Sequence, residues 1–121
     1  MLTFVMIPKQ NRLKNRSAFN ATYKLKHTVH KGGITLFAGI LKNCDSVTKA
    51  GFVVSKKTHK RAVKRNRLKR LMREAYRQLL KSGDLGESQK YLSLIFVGSG
   101  HALAKTYNEV YNIIRTLIIQ I

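Results

Sequence analysis

The chain is 121 residues long and carries 24 Lys and Arg against 5 Asp and Glu, a formal net charge of +19. A chain of this length makes one domain and buries roughly two thirds of its unfolded surface unaided; its single cysteine, Cys44, excludes an internal disulfide and any cysteine-based zinc site. Charge of one sign at this density repels itself and costs stability, so a polyanionic partner, nucleic acid first, is expected to relieve it.

The opening MLTFVMI has no basic segment before it and no small-residue cleavage site after it, so it fails as a signal peptide. Residues 1–8 are expected either to dock as a strand or to stay disordered. No apolar run is long enough to span a bilayer, and a lone cysteine suits a reducing cytosol. His27, His30, His59 and His101 are scattered without acidic or thiolate company and are expected to be ordinary surface or phosphate-facing residues.

Residues 9–16 form a first basic segment, and Ser17 is a candidate N-cap for a short helix running to about Lys26. Phe19 and Tyr23 lie one helical turn apart on one face. Two readings stay open for them: two core side chains, or a stacking platform beside a basic strip. Residues 34–41 alternate, with Ile34, Leu36, Ala38 and Ile40 on one side and Thr35, Phe37 and Gly39 on the other, which predicts a strand buried on one face. Phe37 then stands on the more open face. Residues 50–55 predict a second strand, with residues 42–49 as the turn between the two.

Residues 62–80 predict a long helix. Leu68, Leu71, Met72, Ala75, Tyr76, Leu79 and Leu80 fall in one apolar stripe. At about 100° per residue, Asn66, Arg70, Arg73 and Arg77 lie opposite, with Arg67 and Lys69 on the flanks. Arg65 projects to nearly the azimuth of Tyr76, and an unpaired buried guanidinium costs several kcal/mol. The first turn is therefore expected either to overhang the packed body and present free backbone N–H groups to phosphate, or to let Arg65 snorkel to water along the helix flank. Residues 81–90, with Gly83 and Gly86, predict a loop; residues 92–97 a strand buried on both faces; Gly98-Ser99-Gly100 a tight turn; and Leu103 through Ile121 a last helix with a core stripe.

The five acidic residues, Asp45, Glu74, Asp84, Glu87 and Glu109, are spread over separate elements. Two-metal cleavage of phosphodiesters needs several carboxylates on one site, so the chemistry on offer is electrostatic attraction, stacking and bidentate phosphate contact by arginine. Charge alone equally permits a structural ribosomal or nucleoid protein.

Residues 62–74, AVKRNRLKRLMRE, closely resemble the RNR signature of the bacterial ribonuclease P protein family. The likeness extends to Asn11, Arg12 and Leu13 followed by Phe19 and Tyr23, and to the run GFVVSKK of residues 51–57. It implies an α+β fold: a two-layer α/β sandwich with an about four-stranded mixed sheet and a left-handed β-α-β crossover, like the second domain of a small-subunit ribosomal protein, together with an N-terminal helix, the long basic helix and a C-terminal helix. It also implies a single RNA-binding domain that binds a catalytic RNA and the 5′ leader of precursor tRNA, one protein per RNA, in the cytoplasm. The RNA cuts the leader with magnesium at its own active site; the protein holds no metal, supplies no catalytic residue and engages no membrane.

By the same resemblance, Lys60, Arg61, Lys64, Arg65, Asn66, Arg67, Lys69, Arg70 and Arg73 face the catalytic RNA, while Arg12, Phe19, Tyr23, Phe37, Ser55, Lys56 and Lys57 line the leader path. Two departures from the family pattern stand out. Val97-Gly98-Ser99 is neutral where members often place basic residues, and Thr58-His59-Lys60-Arg61 lacks the glycine many members carry.

Overall fold

The computed structural model describes residues 12–13, 16–25, 27–41, 48–55, 60–86 and 88–121. Its elements run α1 (Arg16–Leu25), β1 (His27–Lys31), β2 (Ile34–Ala38), β3 (Lys49–Val53), α2 (Ala62–Ser82), β4 (Ser93–Gly98) and α3 (Tyr107–Gln120), with 3-10 turns at Ser88–Lys90 and Gly100–Ala102. The sheet order is β1-β2-β4-β3, in which β4 is antiparallel to β2 and parallel to β3. The predicted β-α-β crossover is thus β3, α2 and β4. A central strand is covered on both faces, and β4 accordingly buries Ser93, Leu94, Ile95 and Phe96 in succession, which is why its sequence shows no alternation.

Successive residues of a strand point to opposite faces, and the register sorts them into rows. Leu36, Phe96 and Phe52 share one row and face α2, while Phe37, Ile95 and Gly51 share the next and face α1. On the first face Phe52 stacks on Phe96 with centroids 5.3 Å apart and planes 8° apart, and Tyr76 of α2 closes on both rings at 6.0 and 5.5 Å. Leu68, Met72, Ala75 and Leu79 of α2 and Val110, Ile114, Leu117 and Ile118 of α3 complete this core. Each large side chain so buried contributes roughly 1.5–3 kcal/mol. The sheet with α2 and α3 forms the two-layer body, and α1 covers part of the remaining face.

The helix ends follow local chemistry. α2 stops at Gly83, whose φ of 78° suits glycine and whose N–H reaches the Leu79 carbonyl. Thr106 and Glu109 close a capping box at the start of α3.

Several predicted boundaries shift. Ser17 lies inside the first turn of α1, not before it. α2 runs on to Ser82, so the loop begins later than residue 81. Leu103 precedes α3 rather than belonging to it. Strands β2 and β3 are not neighbours, because β4 lies between them; residues 42–47 of the predicted turn lie outside the described residues. Strand β1 has no counterpart in the sequence reading: it pairs with β2 through the turn Gly32-Gly33, both glycines at positive φ. Residues 1–8 and the histidine at 59 lie outside the described residues.

Candidate nucleic-acid interface

The long helix sets the first surface. Because Leu68, Met72, Ala75, Tyr76 and Leu79 are held in the core, the helical period turns Asn66, Arg70 and Arg73 outward, and all three are exposed. The first turn stands clear of the body: Ala62 and Lys64 are exposed and Val63 is 78% exposed. The helix opens on Arg61, in extended backbone conformation and without a side-chain cap. Arg65, on the azimuth of Tyr76, remains half-buried and donates from Nη1 to the Lys60 carbonyl at 2.9 Å, so the overhang spares it entry to the core.

Arg67 is exposed yet engaged. Its Nη1 donates to the Leu103 carbonyl at 2.9 Å and its Nη2 to the Lys105 carbonyl at 3.0 Å, tying α2 to the loop before α3. Arg77, on the predicted outer face, is half-buried in a pair with Glu74 at 2.7 Å. Lys64, Lys69, Arg70 and Arg73 have no ion-pair partner among the described residues.

The second surface lies on the other face of the sheet. The Tyr23 ring meets Phe37 edge-on at 4.9 Å, and Phe19 lies 6.4 Å from Tyr23. All three rings are half-buried. Phe19 sits over Gly51, where a Cβ would stand 2.5 Å from its ring. Burial raises the Tyr23 phenol above its ordinary value, so it stays neutral at physiological pH. Beyond the rings, the row Thr35, Val97 and Val53 on the same face is half-buried. Among the described residues, a trough with half-buried aromatic groups on its wall is suited to single-stranded bases, which stack on such rings.

Arg12 and Ser55 mark the β3 side of this trough. Arg12 bridges Ala50 in parallel, extending the sheet edge, and its Nε is buried without a partner; Ser55 is exposed. Lys60 and Arg61, both exposed, lead from there into α2. Lys56 and Lys57 lie outside the described residues. The structure thus gathers Phe19, Tyr23 and Phe37, and separately aligns Asn66, Arg70 and Arg73, on opposite faces of one sheet.

The described carboxylates are engaged apart from one another: Glu74 with Arg77, Asp84 with Arg115 at 2.5 Å, and Glu109 in the α3 cap. Among the described residues, no group of three or more His, Cys, Asp or Glu gathers to hold a metal ion, and no helix is long and apolar enough to cross a membrane.

A cationic helix face and an aromatic trough on one small α+β domain define a protein suited to a folded polyanion with single-stranded segments. A family model described as Ribonuclease P matches residues 7–121, and the chain belongs to that family. A relative named Ribonuclease P protein component from Clostridium kluyveri is 31% identical over 107 residues, covering 88% of this chain and 90% of that protein. Another of the same name from Pseudanabaena sp. is 41% identical over 75 residues, and the match spans 62% of this chain and 64%, under two thirds, of the relative. The fold is similar to the solved RNase P protein of Staphylococcus aureus, with a TM-score of 0.73, 24% identity and coverage of 91% of this chain and 94% of that one. It is similar as well to that of Thermotoga maritima, with a TM-score of 0.74, 20% identity and coverage of 91% and 96%.

Proposed function

We propose that the chain acts as the protein subunit of ribonuclease P, binding the catalytic RNA through α2 and the 5′ leader of precursor tRNA in the aromatic trough. The observation that carries this reading is the outward face of α2, where Arg70 and Arg73 stand exposed on a chain of the ribonuclease P family. Guanidinium groups bind phosphate in bidentate fashion, and their field offsets the repulsion between two RNA molecules brought together. Leader binding strengthens, and less magnesium is needed. Bond breaking belongs to the RNA, with magnesium at its active site; the protein supplies charge and stacking in the cytoplasm, one copy per RNA.

Reconstitution tests this. Added to a bacterial ribonuclease P RNA at low magnesium, the protein is expected to restore precursor processing and to bind precursor tRNA more tightly than mature tRNA. Equal affinity for the two would point instead to a structural ribosomal or nucleoid protein, and cleavage by the protein without RNA would make it a nuclease in its own right.

A further inference from the structure

The loop between β4 and α3 is fastened at both ends. Arg67 of α2 holds the carbonyls of Leu103 and Lys105 at 2.9 and 3.0 Å. At the other end, Ser99 gives both its N–H and its hydroxyl to the Gly33 carbonyl, each at 2.8 Å. The missing side chain of Gly33 lets the loop lie directly on the hairpin turn, since a Cβ there would stand 2.8 Å from the Cβ of His101, and Lys105 Cε lies in ordinary contact range of Gly32.

The result brings Lys31 of β1, Arg67 of α2 and His101 and Lys105 of the loop, from three separate stretches of chain, onto one edge of the molecule. Lys31, Arg67 and His101 are exposed and Lys105 half-buried. Glu109 is the described carboxylate whose charge couples to Lys105, and its Oε1 already accepts from the backbone N–H and the hydroxyl of Thr106. Like charges held together by fixed backbone contacts destabilise the isolated chain, and a bound anion relieves them.

We propose that Lys31, His101 and Lys105 form a second phosphate-binding strip, which continues the α2 face across the loop onto the β1-β2 hairpin, with Arg67 as the residue that positions Lys105. The inference rests on the RNA-binding reading above and extends it to a surface beyond the α2 face. Its ligand is the phosphodiester backbone of folded RNA, from either the catalytic RNA or the tRNA. The two lysines act as point charges, and Arg67 keeps N–H groups for solvent or phosphate after its two carbonyl bonds, since a guanidinium carries five.

The test uses full-length protein, a bacterial ribonuclease P RNA transcript and a precursor tRNA. Binding is followed between about 50 and 200 mM salt, where each lost phosphate contact lowers the slope of log affinity against log salt by about 1. The Lys31→Ala/Lys105→Ala double variant is expected to lower the slope by about 2 at a Tm that does not fall. A change seen with the RNA transcript alone assigns the strip to the catalytic RNA; one seen only when precursor is added assigns it to the tRNA. An unchanged slope in both arms, beside a lowered slope for Arg70→Ala, overturns the strip and leaves the α2 reading standing. Absence of selective RNA binding by the unaltered protein sinks both. Arg67→Lys keeps the charge and loses the fork, so Lys105→Ala is expected to weaken RNA binding less in that background. Full additivity of the two would remove the positioning role.

Discussion

Tyr23 of α1 and Phe37 of β2 meet edge to face at 4.9 Å. That contact joins two rings from separate elements into one wall. With Phe19 it leaves three half-buried aromatic rings on one face of the sheet, and each base stacked on such a ring is worth about 1–3 kcal/mol. Phe37→Ala is therefore expected to reduce the preference for leader-bearing over mature tRNA by roughly 5- to 150-fold, with little change in affinity for the catalytic RNA. Paired binding measurements check this. A larger loss on the RNA subunit would assign the ring to packing.

Gly51→Ala tests the same wall without removing a ring. The new methyl would stand 2.5 Å from Cζ and 2.7 Å from Cε1 of Phe19, closer than non-bonded carbons approach, so the ring must move away from its place over the sheet. Leader preference is expected to fall as in Phe19→Ala. Retained preference would show that Phe19 contributes nothing in its observed position.

On α2 the two classes of arginine separate. Arg70→Ala and Arg73→Ala remove exposed groups with no described ion-pair partner, so each is expected to lower the salt slope of RNA binding by about 1 at unchanged Tm. Arg67→Ala also loses two bonds to carbonyls, a destabilisation of about 1 kcal/mol, while the fold persists. Calorimetry alongside titration separates them. Equal Tm values for the three variants would mean that the Arg67 clamp is not formed in solution.

Those contrasts mark where the sequence was legible. The apolar stripe of α2 needs only a helical period, and its phase told which residues face outward. β4 was readable because a strand covered on both faces is apolar throughout. β1 was not: its five residues, HTVHK, are exposed except for the half-buried Val29, so no alternation records it, and Gly32-Gly33 was the one available cue. The Arg67 clamp could not be read because its partners are backbone carbonyls, which every residue possesses. The meeting of Tyr23 with Phe37 depends on the sheet order, which local periodicity does not encode.

Alkaline pH should act through Tyr76. Burial pushes its phenol up to about 12, against a smaller lowering influence from the Gln89 hydrogen bond. The folded state thus favours the neutral phenol, and its contribution is fully present below about pH 10 and lost as pH rises through about 12. The linked free energy is on the order of 2 to 3 kcal/mol. In Tyr76→Phe the stability profile should be flatter above pH 10 than in the unaltered protein, with a loss near neutrality of about 1 kcal/mol for the bond from Gln89. Denaturant unfolding at a series of pH values measures both, and identical alkaline limbs would contradict the burial of this hydroxyl.

Gly98 links the core to the RNA-facing helix. At the end of β4 a Cβ would stand 2.6 Å from Cδ2 of Leu68 and 3.1 Å from Cγ2 of Val54, both side chains being buried. Leu68 follows directly on Arg67 and is the first residue of α2 held in the core, so a methyl group beneath it pushes on the helix where the basic face begins. Gly98→Ala is expected to cost about 1–3 kcal/mol through overpacking and to weaken RNA binding without touching a charge. Gly100→Ala, two residues on, meets nothing within 4 Å and serves as the control, with Tm and RNA affinity both near those of the unaltered protein. If Gly98→Ala lowers Tm while RNA affinity holds, the helix absorbs the strain by repacking Leu68, and the placement of the basic face is independent of this contact.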